Sequence, residues 1–270
     1  MNKVTAIGQH ILFKHLKNRK NTPLSEVQSL YLDLLIKSLA NTIYADNSIH
    51  PGVPVEYDYQ RRSVGGDWPS IAHSMIGLAR LNNLRECVET VIRDGIPGDL
   101  IETGVWRGGA CILMRGILKA YGIKDRRVFV ADSFCGLPPP NPEVYQADKG
   151  DLLHTYSELA ISRTQVEQNF KAYDLLDEQV CFVEGWFRDT LPNIQSNRFA
   201  LIRLDGDMYE STIQALEALY PKLSRGGFSI IDDYGAIPAC RVAVEDYRTR
   251  NKIDIPLQEI DWTGVYWRKT

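Results

Sequence analysis

From Gly98 to the carboxyl end, short apolar runs alternate with helix-patterned stretches, and several of the runs stop at an acidic residue. This alternation narrows the folds open to the chain, because parallel strands need a crossover between them and a sheet buried on both faces appears as continuous apolar runs. Strands are expected at 99–103, 127–132, 180–184, 200–204 and 228–231, with helices at 108–121, 158–173, 210–223 and 239–251. Two late segments, 257–260 and 265–268, bring the strands to seven and suit an antiparallel edge. The expected class is α/β, a mainly parallel sheet with helices on both faces.

Before Gly98 the pattern is helical. Thr22-Pro23 suits a cap and first turn, and opens a segment with Leu30, Leu32, Leu34, Leu35 and Leu39 at near-helical spacing. Such a segment would pack against the main domain or a second subunit. Residues 47–68, with Pro51, Pro54, Tyr57 and Tyr59, form an expected loop of lid length, followed by a helical region over about 70–94. The expected division is a helical and lid region at 1–96, serving the acceptor pocket and oligomer contacts, and a core at 97–270.

Composition excludes several classes. A chain of 270 residues with a net charge of −3 has no electrostatic reason to bind nucleic acid or acidic lipid, so a small-molecule partner is expected. Cys87, Cys111, Cys135, Cys181 and Cys240 are scattered without a CxxC pair, which argues against a disulfide framework and a zinc site and for a reducing compartment. The amino terminus lacks the apolar run of a signal peptide, and no stretch approaches the length of a membrane span. A cytoplasmic protein is expected, with no membrane partner.

Three groups of residues carry chemistry. The turn Glu102-Thr103-Gly104-Val105-Trp106-Arg107-Gly108-Gly109 follows the first strand and departs from GxGxxG. Its acid would repel a pyrophosphate but could accept from an ammonium near Gly104, with helix-end donors left for a carboxylate. A simple packing turn is the alternative. At the second strand's end Asp132 could accept from ribose hydroxyls or merely cap the next segment, with Ser133 beside it. At the third, Gly185 and Trp186 could flank an adenine, or Trp186 could pack in the core. The last group is Asp205-Gly206-Asp207 and Asp232-Asp233, each after an apolar run. Carboxylates gathered in one crevice repel unless they share a proton or bind a cation, and an all-oxygen set suits magnesium, calcium or manganese, with magnesium the default. Asp232 and Asp233 could converge on one ion only if the strand has ended, since neighbouring strand side chains point apart. Helix capping is the alternative. His73 and His154 fall in regions that could face the crevice, whereas His10, His15 and His50 lack a chemical context. The segment 134–157, stiffened by Pro138-Pro139-Pro140, could cover an acceptor with Tyr145, Asp148, Lys149 and Tyr156.

Taken together, the blocks Asp67-Trp68-Pro69, Ala72-His73-Ser74-Met75-Ile76-Gly77-Leu78-Ala79-Arg80, Pro97 to Gly109, Asp132-Ser133-Phe134, Asp205 to Thr212 and Asp232-Asp233-Tyr234 resemble the macrocin O-methyltransferase family, which methylates sugar hydroxyls and related acceptors in natural-product biosynthesis. The likeness runs from about Val64 onward. It implies a class I methyltransferase fold of Rossmann-like type and S-adenosylmethionine as donor, held by Met75, Glu102, Thr103, Gly104, Asp132, Ser133, Gly185, Trp186 and Asp205. It also implies magnesium on Asp205, Asp232 and Asp233, Asp205 as general base, and a homo-oligomer. The acceptor would be a small molecule with a hydroxyl, free or carrier-tethered, on a sugar, polyketide or phenol. A metal-dependent hydrolase and a non-catalytic nucleoside-binding protein are the rival readings, though the first leaves the Glu102–Gly109 turn and Asp132 without a purpose.

Overall fold

The computed structural model describes residues 25–270. Strands β1 (Asp99–Thr103), β2 (Val128–Asp132), β3 (Val180–Glu184), β4 (Phe199–Leu204) and β5 (Leu223–Ile231) are parallel, and β6 (Gln258–Glu259) and β7 (Val265–Arg268) close an antiparallel edge. The order across the sheet is β3-β2-β1-β4-β5-β7-β6. Chain order therefore reverses between β1 and β4, where open α/β sheets part to form a crevice beyond their carboxyl ends. The seven-stranded α/β expectation is borne out.

Side-chain alternation sends each strand to two cores. Leu100, Val128, Val130, Leu201 and Ile230 meet one group of helices: α1 (Glu26–Leu39), α3 (Gly77–Arg93), α4 (Gly109–Ala120) and α5 (Arg163–Ala172). Leu32 and Leu35, Leu84 and Val88, Leu113 and Ile117, and Phe170 are their respective buried contributions. Ile101, Phe129, Ala131 and Ile202 meet α7 (Tyr209–Leu219) and α8 (Pro238–Arg250) through Ile213, Leu216, Val244 and Tyr247. Two short helices, α2 (Tyr59–Ser63) and α6 (Phe187–Thr190), lie near the crevice. The apolar face of α1 and α3 is thus part of the core under the sheet rather than a separate packing unit.

Several boundaries move for local reasons. Helix α1 starts at a capping box in which Ser25 and Gln28 satisfy each other's amides, while Thr22-Pro23 and the histidines His10 and His15 lie outside the described residues. Helix α7 stops at Leu219 rather than 223, because Pro221 turns the chain and Leu223 already pairs with Phe199 as the first residue of β5. Helix α5 starts at Arg163, capped by Ser162, and not at 158. The expected helix over 70–94 begins only at Gly77, since the amides of Ile71 and Ala72 go to the Asp46 carboxylate instead of to helical carbonyls. No helix among the described residues is long and apolar enough to cross a membrane.

Candidate active site

The carboxyl ends of the parallel strands open into a cavity of about 350 Å³. Its inner edge is built where β1 and β4 separate. Gly104 has φ of +78°, and a Cβ there would stand 1.6 Å from the Asp205 carbonyl oxygen, so the two strand ends touch and only glycine fits. The parallel ladder runs one residue beyond the strands, with Asp205 N donating to Thr103 O (2.9 Å) and Asp232 N to Leu204 O (2.9 Å). Asp132 faces the same turn and accepts from Val105 N (2.7 Å) and Phe134 N (2.8 Å), which aims its carboxylate across the turn.

Beneath this edge lies a buried charge cluster. Arg203 stands on β4 at 1% exposure and donates to Glu102, to Asp205 Oδ2 (2.7 Å) and to Asp232. Arg80, from α3, pairs with the other oxygen of Asp232 and with Asp261 Oδ2 (2.9 Å). Cys111 Sγ adds a contact to Glu102 at 3.0 Å. Two guanidinium groups do not neutralise the acids present. Carboxyl oxygens of Asp205, Asp207 and Asp233 lie within 4.8 Å of one another, and Asp207 N donates to Asp233 Oδ2 at 3.1 Å. Burial pushes Glu102 up to about 7 against the pull of Arg203. Burial and the neighbouring Asp232 raise Asp205 to about 6, and burial with Asp205 and Asp232 raises Asp207 to about 8. Asp233 is held well above the carboxylate range by burial and by Asp207. A cluster of this composition favours protons or a cation. Its all-oxygen donor set fits a hard divalent ion.

The roof comes from two segments. In the first, Arg62 is fully buried and uses every nitrogen: Nε to Asp67 Oδ1 (2.8 Å), Nη1 to Asp46 Oδ1 (2.7 Å) and Ala40 O (3.1 Å), and Nη2 to Asp46 O (2.8 Å) and Asp67 Oδ2 (3.1 Å). Asp67 and Trp68 line the cavity, and His50 packs edge-on against Trp68 at 4.4 Å. Arg107 joins this wall to the Glu102–Gly109 turn, donating to Pro69 O (2.8 Å) and Ala72 O (2.9 Å). In the second segment, Gly136, Leu137, Pro138, Leu153 and Leu159 face the cavity. The segments meet where Tyr156 packs on Trp68 at 5.4 Å.

Of the residues expected at the donor site, Met75, Glu102, Gly104, Asp132, Ser133, Gly185, Trp186 and Asp205 all line this cavity. Thr103 does not: it is fully buried below the turn, and its hydroxyl has no partner. Glu102 points its carboxylate at Arg203 and Cys111. The acids also regroup. Asp232 accepts from Arg80 and Arg203, while the carboxyl oxygens that lie within 4.8 Å of one another are those of Asp205, Asp207 and Asp233. His50 and His73 line the cavity and His154 does not. Tyr145, Asp148, Lys149 and Tyr156 do not line it either. Asp148 is buried and caps α7 by accepting from Tyr209 N (2.6 Å) and Glu210 N (3.0 Å). Sequence reasoning passed over Arg203, although a charged residue inside the apolar run 199–204 was a visible signal.

The sequence model of the family described as Macrocin-O-methyltransferase (TylF) matches residues 51–269. The chain belongs to the macrocin O-methyltransferase family. It is 56% identical over 247 residues to the 8-demethyl-8-(2,3-dimethoxy-alpha-L-rhamnosyl)-tetracenomycin-C 4'-O-methyltransferase of Streptomyces olivaceus, covering 91% of this chain and 94% of that one. Mycinamicin III 3''-O-methyltransferase of Micromonospora griseorubida is 51% identical, with 89% and 96% covered. The solved structure of the O-methyltransferase NovP superposes with a TM-score of 0.87 at 52% identity, covering 90% of this chain and 99% of that chain. This macrocin O-methyltransferase family member is therefore an S-adenosylmethionine-dependent O-methyltransferase, and the hydrolase and non-catalytic readings lose their support. The mixed seven-stranded sheet is that of the class I methyltransferases.

Proposed function

We propose that the enzyme methylates a sugar hydroxyl of a natural-product glycoside, using a divalent ion, magnesium by default, at the acid cluster. The observation that carries this reading is the contact of Gly104 with Asp205: it sets the donor turn directly against the carboxylates, so two reactants bound on either side would share one crevice. The rhamnosyl group in the name of the tetracenomycin relative supports a deoxysugar acceptor.

Met75, Gly104, Asp132, Ser133, Gly185 and Trp186 would hold the donor, with Asp132 on the ribose and Trp186 against the adenine. Asp205 and Asp233 would hold the ion, with a third carboxylate from Asp207 or Asp232, both within the same cavity. A bound ion would supply Lewis-acid activation of the acceptor hydroxyl. Asp205, whose backbone meets Gly104 at the cavity's inner edge, would take the hydroxyl proton. The cavity walls would align the acceptor oxygen with the methyl carbon, and the neutral thioether would leave without an acid. Residues 1–96 would supply the acceptor wall and 97–270 the donor core. The outer side of α1, opposite its core face, leaves Val27, Leu30 and Leu34 exposed and supports an oligomer.

Calorimetry with S-adenosylhomocysteine tests the donor site, and turnover of a rhamnoside in EDTA and in magnesium tests the ion. Magnesium should restore activity lost in EDTA. Comparing Asp207→Asn with Asp232→Asn identifies the third ligand as the variant that weakens magnesium binding in calorimetry while sparing the nucleoside. Full activity in EDTA would remove the ion from the proposal, and no nucleoside binding would remove the donor site.

A further inference from the structure

Trp262 leaves 56% of its surface exposed beside the cavity that it lines. Single exposed apolar residues are ordinary on protein surfaces. This one is tethered on several sides. Its indole N–H donates to Val64 O at 2.8 Å, on the first roof segment. Its turn is gathered by Asp261, whose Oδ1 accepts from Thr263 N (3.0 Å) and Gly264 N (2.8 Å) and whose Oδ2 accepts from Arg80. Next to it, Thr263 Oγ1 donates to Asp232 O (2.9 Å), and Gly235 N donates to Thr263 O (2.8 Å). A Cβ at Gly235 would stand 2.3 Å from Trp262 O, so the turn lies directly on the chain that leaves the acid pair.

The indole is thus fixed relative to Asp232-Asp233 by bonds that reach the acid cluster, while its ring remains open to solvent. Val64, 46% exposed, extends the apolar surface beside it. A rigid aromatic plane with its polar end already satisfied has an apolar face to offer, and flat apolar rings gain from stacking beyond the area they bury. The geometry separates two parts of an acceptor. The reacting sugar must reach the carboxylates at depth, and whatever the sugar is attached to must pass the exposed rim.

We propose that Trp262 is a specificity-determining platform for the aglycone: it stacks on the apolar ring system to which the sugar is joined, and it selects aryl or polycyclic glycosides over simple ones. This rests on the glycoside reading above. The test compares p-nitrophenyl α-L-rhamnoside with methyl α-L-rhamnoside as acceptors for the full-length enzyme with saturating donor and magnesium. Wild-type enzyme should favour the aryl glycoside, and Trp262→Ala should erase that preference by raising its KM about tenfold, with kcat and the methyl glycoside constants little changed. Trp262→Phe should keep most of the preference. Unchanged S-adenosylhomocysteine affinity and unfolding midpoint would show that the variants are folded. A Trp262→Ala enzyme that keeps the aryl preference, or that loses both acceptors equally, overturns the platform and leaves the glycoside reading intact. Failure of the wild type to bind or methylate either rhamnoside overturns both.

Discussion

Arg62 in the roof and Arg203 in the floor are both buried, at 0% and 1% exposure, yet they sit in opposite charge balances. Around Arg62, the partners Asp46 and Asp67 are themselves satisfied. Asp46 also accepts from Asn41, Ser70, Ile71 and Ala72, and despite burial its carboxyl is held below the usual range by Arg62 and by the Ile71 and Asn41 donors. Around Arg203, carboxylates outnumber cations, and Glu102, Asp205, Asp207 and Asp233 are all raised. The roof network is complete by itself and orders a stretch with little regular structure. The floor network is left wanting positive charge on the side that opens to the cavity. Closure of a hydrogen-bond network marks scaffold, and an unmet charge demand marks a site.

Breaking the roof should have the largest effect. Arg62→Met would leave Asp46 and Asp67 buried without a cation, costing about 3–5 kcal/mol in denaturant unfolding, and adding Asp46→Asn and Asp67→Asn should recover part of it. A loss below about 1 kcal/mol would mean that the ion pairs do not organise this wall.

The second test uses pH, because the two networks carry opposite signs. Glu102 has its pKa raised from 4.5 to about 7, so the stability it contributes is present below pH 4.5 and is lost as pH rises through 7. Asp46 has its pKa lowered, so its contribution is present above pH 3.8 and is lost as pH falls further. In EDTA, unfolding free energy measured from pH 4.5 to 7.5 should show Glu102→Gln losing its disadvantage against wild type, by on the order of 2–3 kcal/mol across the window. Parallel curves would remove Glu102 from the charge imbalance.

The third and smallest test sharpens the contrast within the roof. The second segment is tied down not by an arginine but by Asp148, which caps α7 from outside that helix. Asp148→Ala should cost about 1 kcal/mol, the usual loss of a helix cap, and should raise acceptor KM more than donor KM. Equal changes in both would show that the segment does not belong to the acceptor side.

Legibility followed sequence distance. Strands β1 to β5 announced themselves as local apolar runs, and the acids at their ends fell within one or two residues of the run's end. That residues at the strand ends line one cavity was legible for the same reason, since a parallel sheet brings all its carboxyl ends to one crevice. Arg80 and Asp261 are 181 positions apart, and Asp148 lies 61 positions from the helix it caps. No periodicity relates such pairs. The extents of α5 and α7 were misjudged because Ser162 and Pro221 overrode the apolar spacing around them.

By itself the sequence determined the α/β class, the seven strands, the family, and the gathering of acids at one end of the sheet, because each follows from a pattern local to a strand or a turn. The tertiary structure decided which acids face one another. Arg203 and Arg80 take Asp232, and Asp207 N donates to Asp233. It also decided that Trp262, near the end of the chain, stands at the cavity's rim. That placement depends on Val64, Gly235 and Asp232 meeting one turn, contacts made only once the whole sheet has closed.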